Sequence, residues 1–237
     1  MIAPQGRVIL ISGASRGIGF AIARRLHDLG YTVSLGVREP ARFVLKTTDW
    51  DPLRLLTCRY DAQDWKTHRQ WVDDTTERFG RIDGLVNNAG RWSGMTLAAP
   101  DEAELDATYA VNVKAPLNMI AQCLPWLEKS GAGRIVNIAS LSGKRVRNDR
   151  VAYAISKFAV LALTHAARRA GWERGVRATA LCPGFVATDM TADVTAVAAA
   201  EMTQPEDLAA IVAMLLALPN TAAIAEVLVN CRLEDSL

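Results

Sequence analysis

Short apolar segments alternate with longer amphipathic segments along almost the whole chain. Seven short runs are rich in aliphatic and β-branched side chains, at residues 7–11, 32–37, 53–58, 84–86, 134–138, 177–181 and 226–229. Several of these runs are apolar on both faces, which is the pattern of strands covered by helices on both sides. The runs therefore predict the buried strands of a parallel sheet.

Helical signals lie between most of these strands. Residues 18–29 carry apolar side chains at helical spacing. Asp101 and Glu104 have the spacing of a capping box, and Gln204 followed by Pro205 is typical of a helix start. The chain therefore alternates strands and helices over its whole length.

This alternation predicts an α/β fold. We expect residues 1–237 to form a single-domain, doubly wound parallel sheet (a Rossmann fold), with about seven strands flanked by helices. In such sheets, ligands bind at the carboxyl ends of the strands. Candidate chemistry is therefore sought in the segments that follow the predicted strands.

Composition and charge exclude several classes of protein. Half of the residues are hydrophobic and 22% are charged, so the chain is not disordered, and a net charge of +2 gives no field that would attract nucleic acid. The apolar runs are too short to cross a membrane, and the first residues lack the features of a signal peptide. The cysteines and histidines show no metal-ligand spacing, so we expect a cytoplasmic protein without a metal site.

A glycine-rich turn directly follows the first predicted strand. Gly13, Gly17 and Gly19 lie in the segment Ser12-Gly-Ala-Ser-Arg-Gly-Ile-Gly, where glycine lets the backbone approach a pyrophosphate at the start of a helix. A tight turn without a ligand would also use glycine. The position between a strand and a helix favours dinucleotide binding.

The GxxxGxG spacing resembles that of the short-chain dehydrogenase/reductase family. Other motifs of that family stand here in the same order, as Asn87-Asn88-Ala89-Gly90, Asn112, Ser140, Tyr153 with Lys157, and Pro183-Gly184. One departure is Ser12, where the family usually has threonine. The resemblance covers nearly the whole chain and implies hydride transfer between a nicotinamide and a carbonyl or alcohol substrate.

The resemblance implies catalytic roles for Asn112, Ser140, Tyr153 and Lys157. Tyr153 and Lys157 are four residues apart, which places them on one face of a helix. We expect the lysine and a positive nicotinamide to lower the pKa of the Tyr153 phenol, which then serves as general acid or base. In the family, the main chain of the residue matching Asn112 holds a water of a proton relay. Pro116 has no N–H, so it leaves the carbonyl of Asn112 without its helical partner.

The implied cofactor contacts come from the same segments. They are Gly13, Ser15, Arg16, Gly17, Ile18, Gly19, Arg38, Asp61, Asn87, Ala89, Gly90, Tyr153, Lys157, Pro183, Gly184, Val186 and Thr188. Val37 stands where members that use NAD usually carry an acid for the ribose 2′-hydroxyl. Arg16 and Arg38 suit a 2′-phosphate, so the sequence favours NADP(H), although two solvated surface arginines are the alternative.

The surroundings of the substrate are less determined by the sequence. A short, alanine-rich lid is expected at about residues 188–204, and Trp92 would either line the pocket or belong to the core. The cations between Ser140 and Tyr153, which are Lys144, Arg145, Arg147 and Arg150, would attract an anionic substrate or an acidic carrier, or form a solvated rim.

The leading hypothesis is an NADP(H)-dependent oxidoreductase that acts on a small carbonyl or alcohol substrate. The resemblance also implies a homo-oligomer, a dimer or a tetramer. The alternatives are an NAD-linked alcohol dehydrogenase and a non-catalytic dinucleotide-binding regulator on the same fold. The tyrosine–lysine pair favours an enzyme, because a regulator would not need it.

Overall fold

A seven-stranded parallel sheet forms the centre of the computed structural model, which describes residues 1–234. The strand order is β3-β2-β1-β4-β5-β6-β7, and every neighbouring pair is parallel. The strands are β1 (Val8–Ser12), β2 (Thr32–Val37), β3 (Leu55–Arg59), β4 (Gly84–Asn87), β5 (Arg134–Ile138), β6 (Arg177–Pro183) and β7 (Glu226–Val229). The doubly wound α/β fold predicted from the sequence is therefore confirmed.

Helices cover both faces of this sheet. They are α1 (Gly17–Asp28), α2 (Pro40–Phe43), α3 (Trp65–Phe79), α4 (Glu102–Tyr109), α5 (Ala115–Lys129), α6 (Val151–Gly171) and α7 (Pro205–Ala217). On β1, Ile9 and Ile11 pack with α1 and α7, whereas Val8 and Leu10 pack in the second core with α3 and α5. Successive side chains of a strand point to opposite faces, so one strand contributes to both cores.

The strand order reverses between β1 and β4. β1 pairs with β2 on one side and with β4 on the other, so the connections from these two strands leave in opposite directions along the sheet. This reversal opens a crevice at the carboxyl ends of the two strands, where ligands of such sheets bind. The glycine turn after β1 and the Asn-Asn-Ala-Gly segment at the end of β4 both lie at this crevice.

The third strand begins later than predicted. Residues 53 and 54 belong to a 3₁₀ turn, Pro52–Arg54, instead of the strand. The carboxylate of Asp51 caps this turn by accepting a hydrogen bond from the N–H of Leu53 (3.0 Å), and Pro52 starts it with a fixed φ angle. Local turn chemistry therefore outweighs the apolar pattern at this position.

Two helix starts predicted from the sequence differ in their detail. Gln204 and Asp207 form a reciprocal capping box at the start of α7, where the backbone N–H of Gln204 donates to the Asp207 carboxylate (2.9 Å). At α4, the Asp101 carboxylate accepts from the N–H of Glu104 (3.0 Å) as predicted. The Glu104 carboxylate, however, pairs with Arg91, so the second half of that box is absent.

Candidate active site

The side chains of Ser12 and Asn88 hold the glycine turn against the end of β4 by hydrogen bonds. The Oγ of Ser12 accepts hydrogen bonds from the backbone N–H of Asn88 (3.0 Å) and of Ala89 (3.1 Å). In return, Nδ2 of Asn88 donates to the carbonyls of Ser12 and Gly13 (3.0 Å each). Serine therefore supplies, in this structure, the hydroxyl that threonine offers at the same place.

The turn is shaped to accept a pyrophosphate. Gly13 has a φ of +67°, and a Cβ there would lie 2.9 Å from the Cα of Ala89. Gly17 also has a positive φ (+54°), and a Cβ there would lie 3.3 Å from Cγ2 of Thr188. No described side chain caps the start of α1, and its first turn holds no acid. Its free N–H groups fit the phosphates of a nicotinamide dinucleotide.

The predicted cofactor residues lie at the ends of β4 and β6, in the segments that follow β1, β2, β3, β4 and β6, or on α1 and α6. Of these, Ser15 and Ile18 lie between the glycine positions, and Asp61 lies two residues after the end of β3. The Asp61 carboxylate accepts from the N–H of Gln63 (3.0 Å), and its own N–H donates to Oγ1 of Thr67 (3.0 Å). Because these strands are parallel, all of the segments meet at one edge of the sheet.

Asn87 differs from the other predicted contacts, because its side chain lies inside the protein. Its Nδ2 donates to Oδ1 of Asn137 on β5 (2.8 Å), and Nδ2 of Asn137 donates to Thr164 on α6 (2.8 Å). Oδ1 of Asn87 is buried and has no hydrogen-bond partner among the described residues. This side chain therefore joins β4 to β5 inside the protein.

Ser140, Tyr153 and Lys157 come together where β5 ends and α6 begins. Ser140 lies two residues beyond the end of β5, and its Oγ accepts from the N–H of Ser142 (3.1 Å). Nζ of Lys157 donates to the carbonyl of Ile138 (2.9 Å) and lies 5.6 Å from the centroid of the Tyr153 ring. The helical spacing thus places the tyrosine and the lysine beside the end of the same strand.

Burial changes the protonation of this pair. It lowers the pKa of Lys157 to about 8, since the ammonium is removed from water. It raises the pKa of Tyr153 above its ordinary value, although hydrogen bonding from Ser140 opposes the rise. The lowered Tyr153 pKa expected from the sequence is therefore not found in the protein alone. That expectation also required the positive nicotinamide, whose charge would have to supply the decrease.

Asn112 lies in a π-helical segment, Ala110–Lys114, between α4 and α5. Its Oδ1 accepts from the N–H of Arg91 (2.8 Å), and its Nδ2 donates to the Arg91 carbonyl (2.9 Å) and to Oγ of Ser156 (3.0 Å). The Ser156 hydroxyl in turn donates to the carbonyl of Tyr153 (2.7 Å). The side chain of Asn112 thus links the loop after β4 to α6, a contact that the sequence did not reveal.

The cations expected at the ribose have different surroundings. Val37 is buried, and Arg38 directly after it is exposed without a hydrogen bond or ion pair to any described residue. Arg16 pairs with Asp189, Nη1 to Oδ2, at 2.6 Å. A third cation, Lys46, donates to the carbonyl of Ser15 in the glycine turn (3.1 Å). Sequence inspection missed Lys46 because it is 31 residues from Ser15.

The segment predicted as a lid leaves the sheet after Pro183 and Gly184. The N–H of Gly184 donates to the carbonyl of Val229 on β7 (2.8 Å), and Val186 forms a parallel bridge with Thr203. Residues 188–202 project from this closed base, and most of them are exposed. Thr188 begins the projection next to Gly17, so the segment borders the glycine turn.

Acidic residues neutralise most of the basic segment that follows Ser140. Lys144 pairs with Glu226 on β7 (2.7 Å), and Arg145 and Arg147 both pair with Glu234 (2.6 and 3.2 Å). The side chain of Glu234 is only 5% exposed. These three cations therefore pair with acids of the protein itself, while Lys144 and Arg147 remain exposed, as expected for a solvated rim.

Trp92 is not a core residue. Its side chain belongs to a residue that is 49% exposed, and its ring stacks with the guanidinium of Arg150, whose Cζ lies 5.2 Å from the ring centroid. Trp92 is therefore available to border the crevice.

The chain matches the short chain dehydrogenase family over residues 7–199. It is 43% identical over 235 residues to agropine synthesis reductase of Rhizobium rhizogenes, a match that covers 98% of this chain and 54% of that protein. It is 32% identical over 233 residues to an uncharacterized oxidoreductase of Staphylococcus saprophyticus, with 97% and 99% covered. The chain thus spans about half the length of the agropine synthesis reductases that it matches.

A solved structure has the same fold. A short-chain dehydrogenase/reductase from Serratia marcescens superimposes with a TM-score of 0.86 and 28% sequence identity, over 96% of this chain and 98% of that one. Within residues 1–234, none of the helices combines the length and hydrophobicity of a membrane span. The same residues contain no group of three or more His, Cys, Asp or Glu side chains arranged to hold a metal ion.

The depressed pKa of Lys157 predicts a pH-dependent stability difference between the wild type and Lys157→Met. Between about pH 8 and 10.5, the unfolded wild-type chain keeps a proton that the folded chain has released. The free energy of unfolding of the wild type should therefore rise with pH relative to that of the variant. Urea unfolding of both proteins from pH 7 to pH 10 measures this difference.

The exposed Lys66 provides the control, since Lys66→Met removes a lysine that the fold does not bury. A stability difference for Lys157→Met that stays constant from pH 7 to pH 10 would contradict the lowered pKa.

Proposed function

The chain belongs to the short-chain dehydrogenase/reductase family, and from that premise we propose that it is an NADP(H)-dependent oxidoreductase acting on a carbonyl or alcohol group. One observation carries this proposal: Ser140, Tyr153 and Lys157 converge at the edge of the sheet that holds the glycine turn. A Cβ added to Gly90 would lie 3.9 Å from Nζ of Lys157, so the segment after β4 reaches the same centre.

The residues divide the reaction between them. When bound, the nicotinamide supplies or accepts a hydride at the carbonyl carbon. In reduction, the Tyr153 phenol donates its proton to the carbonyl oxygen, and in oxidation the phenolate takes it back. Ser140 Oγ holds that oxygen, and the nearby Lys157 ammonium stabilises the phenolate.

Proton supply to Tyr153 rests on Lys157 and Asn112. A lysine with a pKa of about 8 exchanges its proton readily near neutral pH. Pro116 cannot donate to the carbonyl of Asn112, so this carbonyl is left to hold a water, as in the family's relay. The side-chain contacts of Asn112 with Arg91 and Ser156 fix its backbone next to α6. Asn112 therefore acts in this proposal as the positioning member of the set.

The preference for NADP(H) rests on charges around the ribose. The buried Val37 offers no acceptor for a ribose 2′-hydroxyl, while Arg38 is exposed next to it and Lys46 contacts the glycine turn. Arg16 is the weaker contributor, because a 2′-phosphate must compete with Asp189 for its guanidinium. The cation set therefore consists of Arg38 and Lys46, with Arg16 shared between the phosphate and Asp189.

The remaining expectations are proposals of the same kind. In this proposal, residues 1–237 form one oxidoreductase domain, and residues 188–204 form its lid. The reductase name of the agropine relatives supports carbonyl reduction as the direction, although this chain covers only about half of their length. NAD-linked alcohol oxidation and a non-catalytic dinucleotide regulator are the alternatives. The Tyr153 and Lys157 pair favours an enzyme. Burial of a lysine costs stability, and a regulator would not need a lysine buried beside this tyrosine.

Tyr153→Phe removes the proposed acid while keeping the ring. We expect turnover to fall by at least about a hundredfold, because general acid catalysis contributes at least that much, while NADPH binding is retained. Loss of NADPH absorbance with a panel of carbonyl compounds measures turnover, and fluorescence titration measures binding. Tyr109→Phe is the control for a tyrosine elsewhere. Wild-type turnover by Tyr153→Phe would exclude Tyr153 as the acid.

The cation set predicts that NADPH binds more tightly than NADH by one to two tenfold steps, about 1.4–2.8 kcal/mol. Arg38→Ala and Lys46→Met should each reduce this preference, while Asp189→Asn should increase it by freeing Arg16. Added salt should weaken the preference, because the extra contacts are ionic. Fluorescence titration of both reduced cofactors measures each affinity.

Arg69→Ala serves as the matched control, since Arg69 is exposed on α3. Equal affinities for NADPH and NADH in the wild type, or a change in Arg69→Ala as large as that in Arg38→Ala, would reject the proposed NADP(H) preference.

Apolar side chains on α5 and α6 support the proposed homo-oligomer. Leu117 (48% exposed), Phe158 (42%) and Ile155 (39%) are uncovered in the single chain. We expect a dimer or tetramer by light scattering at micromolar concentration, and a lower mass for Leu117→Lys combined with Phe158→Lys. A monomeric mass for the wild type would contradict this assembly.

A further inference from the structure

Arg150 differs from the other cations that precede Tyr153. Lys144, Arg145 and Arg147 are held by Glu226 and Glu234. The only acidic partner of Arg150 among the described residues is its neighbour Asp149, Nε to Oδ1 at 3.5 Å, and both side chains are largely exposed. Exposed ion pairs of this kind contribute little, so an anionic ligand can displace Asp149.

The position of Arg150 brings its charge close to the reacting centre. Arg150 is the residue before α6, three positions before Tyr153, so the two residues are about one helical turn apart. Side chains of a helix point back toward its N-terminus, so Tyr153 leans toward Arg150. The N–H of Val151 donates to the carbonyl of Met95 (3.0 Å), which fixes the start of α6 against the loop after β4.

That loop carries Trp92 to the same place. A Cβ added to Gly94 would lie 3.3 Å from Nη1 of Arg150 and 3.1 Å from the Trp92 ring, so glycine leaves room for the two side chains to stack. Gly90, two residues before Trp92, is next to Nζ of Lys157. Two residues span at most about 7 Å, so the backbone of Trp92 lies no farther than that from the segment beside Nζ of Lys157.

Stacking leaves the guanidinium available for one kind of ligand. Cζ of Arg150 lies 5.2 Å from the centroid of the Trp92 ring, and Nη1 donates a long hydrogen bond to the Gly94 carbonyl (3.5 Å). The other guanidinium N–H groups have only the exposed Asp149 as a partner among the described residues. A planar carboxylate accepts two such N–H groups at once. The half-exposed Trp92 ring supplies an apolar wall for the carbon chain that joins the carboxylate to the reacting carbon.

We propose that the stacked pair of Arg150 and Trp92 binds a carboxylate of the substrate, so that the enzyme acts on carbonyl compounds that carry a carboxylate. This inference rests on the proposed function and adds the class of substrate to it. Arg150 binds the carboxylate in plane, and Trp92 holds the guanidinium by stacking and packs on the substrate chain. Both residues determine specificity and neither transfers a proton.

The test compares 4-oxobutanoate, 5-oxopentanoate and 6-oxohexanoate with their methyl esters as substrates for NADPH-dependent reduction. The wild type should have a kcat/KM about tenfold or more higher for at least one acid than for its ester, through a lower KM. Arg150→Met should lose this advantage, because it should lower kcat/KM for the acid far more than for its ester. Arg150→Lys should keep part of it, and Trp92→Leu should lower it.

Arg147→Met is the matched control, because Arg147 belongs to the same basic segment but pairs with Glu234. It should keep the preference for the acid. An equal kcat/KM for every acid and its ester, or the same loss of preference in Arg147→Met as in Arg150→Met, would overturn the inference while leaving the proposed oxidoreductase function in place.

Calorimetry separates this inference from the proposed chemistry. The same acids and esters are titrated into Tyr153→Phe with NADPH bound, which does not require turnover. Tighter binding of an acid than of its ester, abolished by adding Arg150→Met, supports the carboxylate site even if the wild type reduces none of these compounds. Equal binding of acids and esters there would overturn it.

Discussion

The close approach of the ends of β1 and β4 is the constraint on which the candidate site depends. Ser12 accepts both N–H groups of Asn88 and Ala89, and Gly13 leaves the space that a Cβ would take from Ala89. This contact places the glycine turn beside the loop after β4. In that loop, the backbone of Arg91 contacts Asn112, and Gly90 lies next to Nζ of Lys157. The glycine turn and the candidate catalytic side chains are thereby positioned by the same pair of strand ends.

The buried lysine shows that the site is built at some cost to stability. Lys157 keeps one hydrogen bond, to the Ile138 carbonyl, and burial lowers its pKa to about 8. The same burial raises the pKa of Tyr153, so the protein by itself does not prepare a phenolate. A positive charge brought by the cofactor is then needed to favour ionisation, which would couple cofactor binding to the protonation of the acid.

The cations near the candidate site differ in whether the protein supplies an acidic partner for them. Glu226 and Glu234 form ion pairs with cations of the basic segment after Ser140, and Asp189 forms an ion pair with Arg16. Arg38 has no ion pair with a described residue, and Arg150 pairs only with the exposed Asp149. Most of these acids lie far from the cations in the sequence, so the number of charges in a segment does not reveal which cations are paired.

The sequence by itself determined the fold class and the seven strands, and it placed the glycine turn after β1, because strand periodicity and glycine turns are local properties. It misjudged the start of β3, where the Asp51 cap and Pro52 outweigh an apolar run. Only the tertiary structure decided that Asn112 clamps Arg91, that Lys46 reaches Ser15, and that Glu234 takes up Arg145. These contacts join residues far apart in the chain, and such pairings are fixed by the packing of helices on the sheet, which no local pattern encodes.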